Sequence, residues 1–228
     1  MSKIKIIFRP ILFVYISIIK YFTRSGMYSW LDSAISRYYK DEMETVLNIG
    51  HGGPVYKHLN NKINKLTSLD LNPDIQPDIT ASIEKMDMID DNSVDLIFCM
   101  EVIEHVKNPF KGASEVHRIL KPGGLFIAST VFIYPIHEVP CDYFRFTKYG
   151  LQELFNKMTM MEMKERNKYV FSIFCLLLRL GINKNRYITF LSLLTFPLLL
   201  LLLPLFIIFN LFIDSDYATT GYYFIYKK

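Results

Sequence analysis

The sequence is short of the residues that build disulfide frameworks and cysteine-based metal sites. It has three cysteines in 228 residues. Cys99, Cys141 and Cys175 are odd in number and have no metal-like spacing, which indicates reduced thiols in a cytosolic protein. No cluster of histidine and cysteine predicts a metal. The net charge is only +4, too small to predict a nucleic-acid partner, although it suits contact with an anionic membrane surface.

Apolar and aromatic residues, by contrast, are abundant. They make up 51% and 15% of a chain that is long enough for one domain with a full core plus an appendage. Part of the excess lies in residues 1–30, where basic residues flank an uncharged run from Ile11 to Ile19. No small-x-small cleavage site follows, so a secretory signal is disfavoured. The pattern favours a helix lying in the membrane interface or a capping helix packed on the domain.

A second apolar stretch runs without a charged residue from Ile188 to Ile213. As one straight helix it would be ~39 Å long at 1.5 Å per residue, more than the ~30 Å hydrocarbon core of a bilayer. Pro197 and Pro204 can break it, which permits a re-entrant or interface-lying pair of helices. If residues 221–226 form the last strand of a sheet, a single crossing would leave that strand on the wrong side. We therefore expect a monotopic attachment; a single span and soluble packing, on the domain or on a second copy, stay open.

The most informative segment, residues 45–54, reads as a short buried strand that runs into a glycine-rich turn. Gly50, Gly52 and Gly53 allow a sharp turn and let a ligand approach closely. Twenty residues after Gly50, a second apolar run ends in Asp70. A glycine turn after one strand and an acid at the tip of the next is how an α/β sheet holds a ribose-bearing cofactor.

The following segments predict the rest of a sheet. Val94–Met100 is a near-continuous apolar run, typical of a central parallel strand. Glu101–His105 follows at the end of that strand, where open α/β sheets place their ligands. Asn108–Leu120 reads as a helix that Lys121–Gly124 stops, and Leu125–Val131 as another buried strand. This βαβα order predicts an α/β fold with a doubly wound, mainly parallel sheet.

Four pieces of the chain resemble the class I S-adenosylmethionine-dependent methyltransferases, and most closely a broad bacterial group, of the type 11 kind, found among small-molecule and glycan-modifying enzymes. A further block, residues 134–147, resembles a subgroup associated with surface-polysaccharide loci, and residues 221–227 look like the family's last strand. The four pieces are Val46–Pro54, Asp70, Asn92–Ile97 with Glu101–His105, and Arg118–Gly124.

The resemblance implies a Rossmann-like methyltransferase sheet with an antiparallel last strand and an apolar helical insertion before it. The expected domains are an N-terminal helix (1–30), a methyltransferase domain (31–168 with 217–228) and a membrane-associated insertion (169–216). The expected activity is S-adenosylmethionine-dependent methylation of a small-molecule, glycan or lipid-linked acceptor at the cytoplasmic face of the membrane. A non-catalytic membrane adaptor with this fold, and a nicotinamide-dependent Rossmann enzyme, are the alternatives. The oligomeric state stays open.

The resemblance and the strand positions together predict the site residues. The cofactor set is Asn48, Gly50, His51, Gly52, Asp70, Leu71, Ser82, Ile83, Glu84, Met100 and Glu101. The catalytic set, from which a hydroxyl acceptor would need a base, is His137, Glu138 and His105. The acceptor contacts are Asp142, Tyr143 and Arg145. Asn48, Pro54 and Ser82 depart from the family pattern, and asparagine at 48 keeps an acceptor but loses a charge.

Overall fold

The computed structural model describes residues 4–180, 186–213 and 217–228, so the first three residues of the predicted N-terminal helix lie outside the described part. The helices are α1 (Ile4–Tyr38), α2 (Gly53–Asn60), α3 (Pro109–Ile119), α4 (Lys148–Leu154), α5 (Tyr169–Arg179) and α6 (Arg186–Phe212). The strands are β1 (Val46–Ile49), β2 (Leu66–Asp70), β3 (Ile79–Thr80), β4 (Val94–Met100), β5 (Leu120–Val131), β6 (Thr159–Glu165) and β7 (Gly221–Lys227).

The strands form one seven-stranded sheet in the order β3-β2-β1-β4-β5-β7-β6. The strands from β3 to β5 pair in parallel, and β7 pairs with β5 in the antiparallel sense. The predicted α/β fold is therefore confirmed, including its antiparallel last strand. Because β1, β2, β4 and β5 run in one direction, the segments that follow them meet at one edge of the sheet, where such folds bind ligands.

The chain divides into two compact units. The sheet unit consists of residues 33–132, 136–164 and 221–228, and the helical unit of residues 1–32, 133–135 and 165–220. In the sheet unit, β4 is buried on both faces, with Leu96, Ile97 and Phe98 fully enclosed. The burial on both faces explains why this strand reads as a continuous apolar run.

An arginine fastens the loop before β4 to α3. The Arg118 guanidinium donates to the carbonyls of Met86 and Ile89 at 3.0 and 2.9 Å, and to the Glu115 carboxylate at 2.8 and 2.9 Å. It also contacts Asp91 at 2.6 Å. The hydrogen bonds from Arg118, helped by its charge, hold the pKa of Glu115 below its ordinary value. The network thus fixes α3 to the loop that leads into β4, the strand whose end carries part of the candidate site.

In the helical unit, α6 is continuous through Pro197 and Pro204, so the break that these prolines permit does not occur. One face of α6 packs against a buried cluster of Tyr15, Ile19, Phe174 and Leu178; its side chains on that face are Leu193, Phe196, Leu199, Leu203 and Phe206. Such packing offsets the backbone hydrogen bond that each proline removes. The opposite face forms an exposed stripe of Leu191, Leu194, Leu198, Leu201, Leu205, Ile208 and Phe212, each at least 45% exposed.

Candidate cofactor and acceptor site

The glycine turn after β1 has a backbone that only glycine adopts easily. Gly50 has φ 99° and donates its N–H to the Leu69 carbonyl at 2.8 Å. A Cβ at this position would lie 2.9 Å from Val102 Cγ2, so both the conformation and the space require glycine. At Gly53, whose φ is 86°, an added Cβ would meet nothing within 4 Å. The turn is therefore tightly packed at Gly50 and open at Gly53.

Asp70, at the tip of β2, faces this turn. Its Oδ2 accepts the His51 N–H at 2.8 Å, and its Oδ1 accepts the Asn72 N–H at 2.9 Å. The His51 ring lies 4.1 Å from the Tyr56 ring, centroid to centroid. Leu71, the residue after the acid, is 71% exposed. A carboxylate and an accessible apolar side chain thus flank a bend in which the His51 ring packs on Tyr56 and the glycines allow a nucleoside to approach the backbone.

The other members of the predicted cofactor set have structural roles in the described chain. Asn48 is buried and its Nδ2 donates to the Gly50 carbonyl at 2.7 Å, so it braces the turn. Ser82 Oγ accepts the Glu84 N–H, and Glu84 Oε1 accepts the Asn108 N–H, both at 3.1 Å. Ile83 is buried in the core. Contact of these residues with a cofactor stays a prediction.

Met100 and Glu101 lie where β4 ends. Met100 is 7% exposed, and Glu101 has a left-handed backbone with φ 59°. Ser129 holds Glu101 twice, since its Oγ donates to Glu101 Oε1 at 2.7 Å and its carbonyl accepts the Glu101 N–H at 3.0 Å. Glu101 is thereby fixed at the carboxyl edge of the sheet, beside the glycine turn in the strand order.

On the β5 side of that edge, three predicted residues form one charge-paired group. Asp142 accepts from both terminal nitrogens of Arg145, at 2.5 and 2.6 Å. Its Oδ2 also accepts the His137 backbone N–H at 2.8 Å and lies 3.3 Å from His137 Nδ1. The Arg145 hydrogen bonds hold the pKa of Asp142 well below its usual range. Burial lowers the pKa of His137, and the Asp142 charge opposes that shift.

His105 lies next to this group. Its ring is 4.8 Å from the His137 ring, centroid to centroid, in an edge-on arrangement. Its Nδ1 lies 2.7 Å from the Cys141 carbonyl. Since a carbonyl only accepts, Nδ1 carries a proton, and in the neutral ring Nε2 is then the acceptor. The sequence thus predicted two histidines that the fold does bring together.

Glu138 and Tyr143 lie at the surface of the same loop. Glu138 is exposed, has φ 50°, and its carboxylate makes no hydrogen bond within the described residues. Tyr143 is 39% exposed, and its N–H is donated to the Glu104 carbonyl at 2.9 Å. The structure therefore does not bring these two side chains into the histidine cluster.

Sequence reasoning missed one polar residue of this edge as a site residue. Glu104 is fully buried, and its Oε2 accepts the Thr130 hydroxyl at 2.8 Å. The signal available in the sequence was its place beside His105, in a Glu-x-x-Glu-His run directly after a buried strand. Because Thr130 lies near the end of β5, this pair ties the ends of β4 and β5 together.

The sheet order, the antiparallel β7 and a bare turn that faces Asp70 define a class I S-adenosylmethionine-dependent methyltransferase fold. Residues 47–128 match the family described as "Methyltransferase domain". Residues 47–128 therefore carry a methyltransferase domain, and S-adenosylmethionine is its cofactor. A search of curated proteins gives no match.

Solved structures share the fold at low sequence identity. A SAM-dependent methyltransferase from Archaeoglobus fulgidus has 15% identity and a TM-score of 0.53, covering 94% of this chain and 100% of that one. One from Aquifex aeolicus has 17% identity and a TM-score of 0.51, covering 65% and 91%. Phosphoethanolamine N-methyltransferase 2 of Haemonchus contortus, in complex with S-adenosyl-L-methionine, has 17% identity and a TM-score of 0.53, covering 86% and 51%. At these identities the likeness shows the fold alone.

Proposed function

We propose that the chain transfers the methyl group of S-adenosylmethionine to a hydroxyl of a small-molecule, glycan or lipid-linked acceptor. The observation that carries the proposal is the Asp70 carboxylate held against the bare turn by the His51 amide at 2.8 Å. In this assignment Asp70 binds the ribose hydroxyls, Gly50 and Gly52 allow close approach, and Leu71 packs against the base. The sulfonium supplies an electrophilic methyl, so the protein's main task is to align the acceptor.

The acceptor is assigned to the polar edge between β4 and the loop after β5. A hydroxyl must lose its proton during transfer. His105 and His137 are the candidate groups to receive it, because the exposed Glu138 lies outside their cluster. Asp142 and Arg145 satisfy one another through two short hydrogen bonds. We therefore assign them to shaping the loop around His137 rather than to acceptor contact, and keep Tyr143, which is exposed, as the acceptor contact.

We also propose that the protein attaches to a membrane through α6. By length and composition, α6 is the one helix in the described chain that would suffice to cross a bilayer. Its apolar residues occupy both faces: one packs on protein, and the other is the exposed stripe from Leu191 to Phe212. An exposed apolar strip of this length is unusual on a soluble monomer, and lipid is a medium in which it is stable.

The topology supports attachment from one side. β5 precedes α6 and β7 follows it, yet the two strands pair in one sheet, so the chain between them must cross a bilayer an even number of times. α5 has 11 residues, ~16 Å at 1.5 Å per residue, too short to cross. If α6 lies in one face of the bilayer with its exposed stripe in the lipid, no crossing is needed and β5 and β7 stay on the same side. Reduced thiols would place that side in the cytoplasm. An acceptor carried on a lipid would suit that placement.

Calorimetric titration of the full chain tests the catalytic assignment. Heat release with S-adenosylmethionine and S-adenosylhomocysteine, and none with nicotinamide dinucleotides, supports it. A non-catalytic adaptor would bind none of these ligands, and a nicotinamide enzyme would show the reverse preference. Either result would overturn the proposal.

A further inference from the structure

Three side chains at the polar edge are arranged as metal ligands, although the cysteine pattern gave no sign of a metal. One carboxylate oxygen of Glu104 and one nitrogen each of His105 and His137 lie within 4.8 Å of one another. A four-coordinate metal ion with bonds of about 2.1 Å needs its ligand atoms about 3.4 Å apart. The distances between the three atoms need to shorten by only about 1.4 Å for the atoms to share one ion.

Neighbouring polar groups hold these side chains in place, as hydrogen-bonded neighbours hold the ligands of a metal ion. His105 Nδ1 donates to the Cys141 carbonyl at 2.7 Å, which leaves the Nε2 lone pair for an ion. Asp142 Oδ2 lies 3.3 Å from His137 Nδ1. Thr130 donates to Glu104 Oε2 at 2.8 Å. The carbonyl that holds His105 and the hydroxyl that holds Glu104 are hydrogen-bonded neighbours of the kind that metal ligands usually have.

Burial and access also agree with an ion. Glu104 is fully buried at the ends of β4 and β5, where a carboxylate is costly to desolvate unless charge or hydrogen bonds compensate it. The His137 side chain is 27% exposed, and His105 is also partly exposed. The cluster is thus closed to solvent at Glu104 and open to solvent at the two histidines. An ion and a further oxygen ligand would enter on the histidine side.

We propose that Glu104, His105 and His137 bind one divalent transition-metal ion, Zn²⁺ or Mn²⁺, with a coordination position open on the histidine side. Two imidazoles and one carboxylate suit these ions better than Mg²⁺, which prefers oxygen. The binding stands on this geometry alone. Its role rests on the proposed function: the ion would bind the acceptor's hydroxyl oxygen and lower the pKa of that hydroxyl. The histidines would then be ligands, and solvent water would take the proton.

The experiment uses the full chain freed of metal with a chelator and titrated with ZnCl₂, MnCl₂ or MgCl₂ alone. We expect one equivalent of Zn²⁺ or Mn²⁺ per chain and little response to Mg²⁺. Co²⁺ in place of Zn²⁺ should give visible absorption bands of a site with mixed nitrogen and oxygen ligands. His105→Ala and His137→Ala should each weaken binding by at least ~10-fold, whereas His117→Ala, on α3, should not.

Glu104→Gln has the same expected effect, and the melting temperature of each variant shows whether it folds. If Glu104→Gln does not fold, the two histidine variants decide. Absence of a stoichiometric complex, or binding that survives in the His105→Ala/His137→Ala double variant, overturns the metal site. Titration with S-adenosylmethionine in the same metal-free sample separates the two proposals, because cofactor binding at Asp70 does not require the ion.

Discussion

The Asp70 carboxylate accepts the backbone N–H of His51 at 2.8 Å, although 19 residues separate them. This hydrogen bond joins the tip of β2 to the glycine turn after β1, and a second, from Asn72 at 2.9 Å, fixes the other carboxylate oxygen. The acid therefore has one orientation, towards the turn. A preorganised carboxylate binds a ligand without the entropy loss of ordering a free side chain.

Asp70→Ala should lower the affinity for S-adenosylmethionine. Hydrogen bonds to a charged group contribute about 1.5–3 kcal/mol, so the dissociation constant should rise by roughly 10- to 100-fold. Calorimetric titration measures this rise. Asp74→Ala, a nearby exposed carboxylate in the following loop, is the matched control and should bind like the parent. Equal affinities for the Asp70 variant and the parent would remove Asp70 from the site.

Gly50→Ala should destabilise the sheet unit more than Gly53→Ala. Both positions have positive φ, 99° and 86°, so each substitution should cost about 1 kcal/mol or more in backbone strain. Only at Gly50 would the new Cβ also meet a side chain, 2.9 Å from Val102 Cγ2. Thermal unfolding measures the difference. Adding Val102→Ala should recover part of the loss at Gly50, and no recovery would argue against the steric cause.

Polar residues in the exposed stripe of α6 should abolish membrane binding without unfolding the chain. The triple variant Leu194→Gln, Leu201→Gln, Ile208→Gln changes side chains that are 61%, 76% and 49% exposed. We expect it to remain in the bottom fraction of a flotation gradient in which phosphatidylcholine–phosphatidylglycerol vesicles carry the parent protein to the top.

The packed face of α6 supplies the control for that experiment. Leu199→Ala should lower the melting temperature, because Leu199 packs against the buried cluster, and should leave vesicle binding intact. Vesicle binding by the triple variant at the parent's level would contradict the membrane assignment and favour packing of α6 on another protein surface.

Acid should weaken the fold through Glu115. Arg118 lowers the pKa of Glu115 in the folded chain below its ordinary value of 4.5, so the unfolded chain takes up the proton first. The stabilisation is thus present above about pH 4.5 and is lost as pH falls through the lowered folded pKa. Melting temperatures measured from pH 6 to pH 3 should fall less steeply in Glu115→Gln. In the Arg118→Met variant, which lacks the guanidinium, adding Glu115→Gln should change the slope of melting temperature against pH very little.

Buried strands and the glycine turn could be predicted from the sequence because burial dictates their composition. β2 and β4 lie where the apolar runs predict them. The start of β5 was missed, since Lys121–Gly124 reads as a stop; in the fold Leu120 pairs with Val94 and the register shifts before Leu96, so the strand includes an irregularity. β6 was missed because an edge strand that is largely exposed needs no apolar pattern.

The residues of the candidate site likewise divide into those that local sequence pattern predicts and those that it does not. Gly50 and Asp70 could be found because strand ends and their spacing follow from local pattern. That Asp142 and Arg145 bind one another, and that Thr130 and the Cys141 carbonyl hold Glu104 and His105, depends on how β5 and its loop lie against β4. Local pattern carries no such information. The continuity of α6 through two prolines is likewise decided by packing rather than by propensity.

The antiparallel pairing of β7 with β5 sets an order of events during synthesis. β7 also lies between β5 and β6 in the sheet, and it emerges from the ribosome after α6. Until β7 is synthesised, the β5 edge that it covers has no native partner, and an unpaired edge is open to wrong partners. The sheet can therefore close only after α6 has been synthesised.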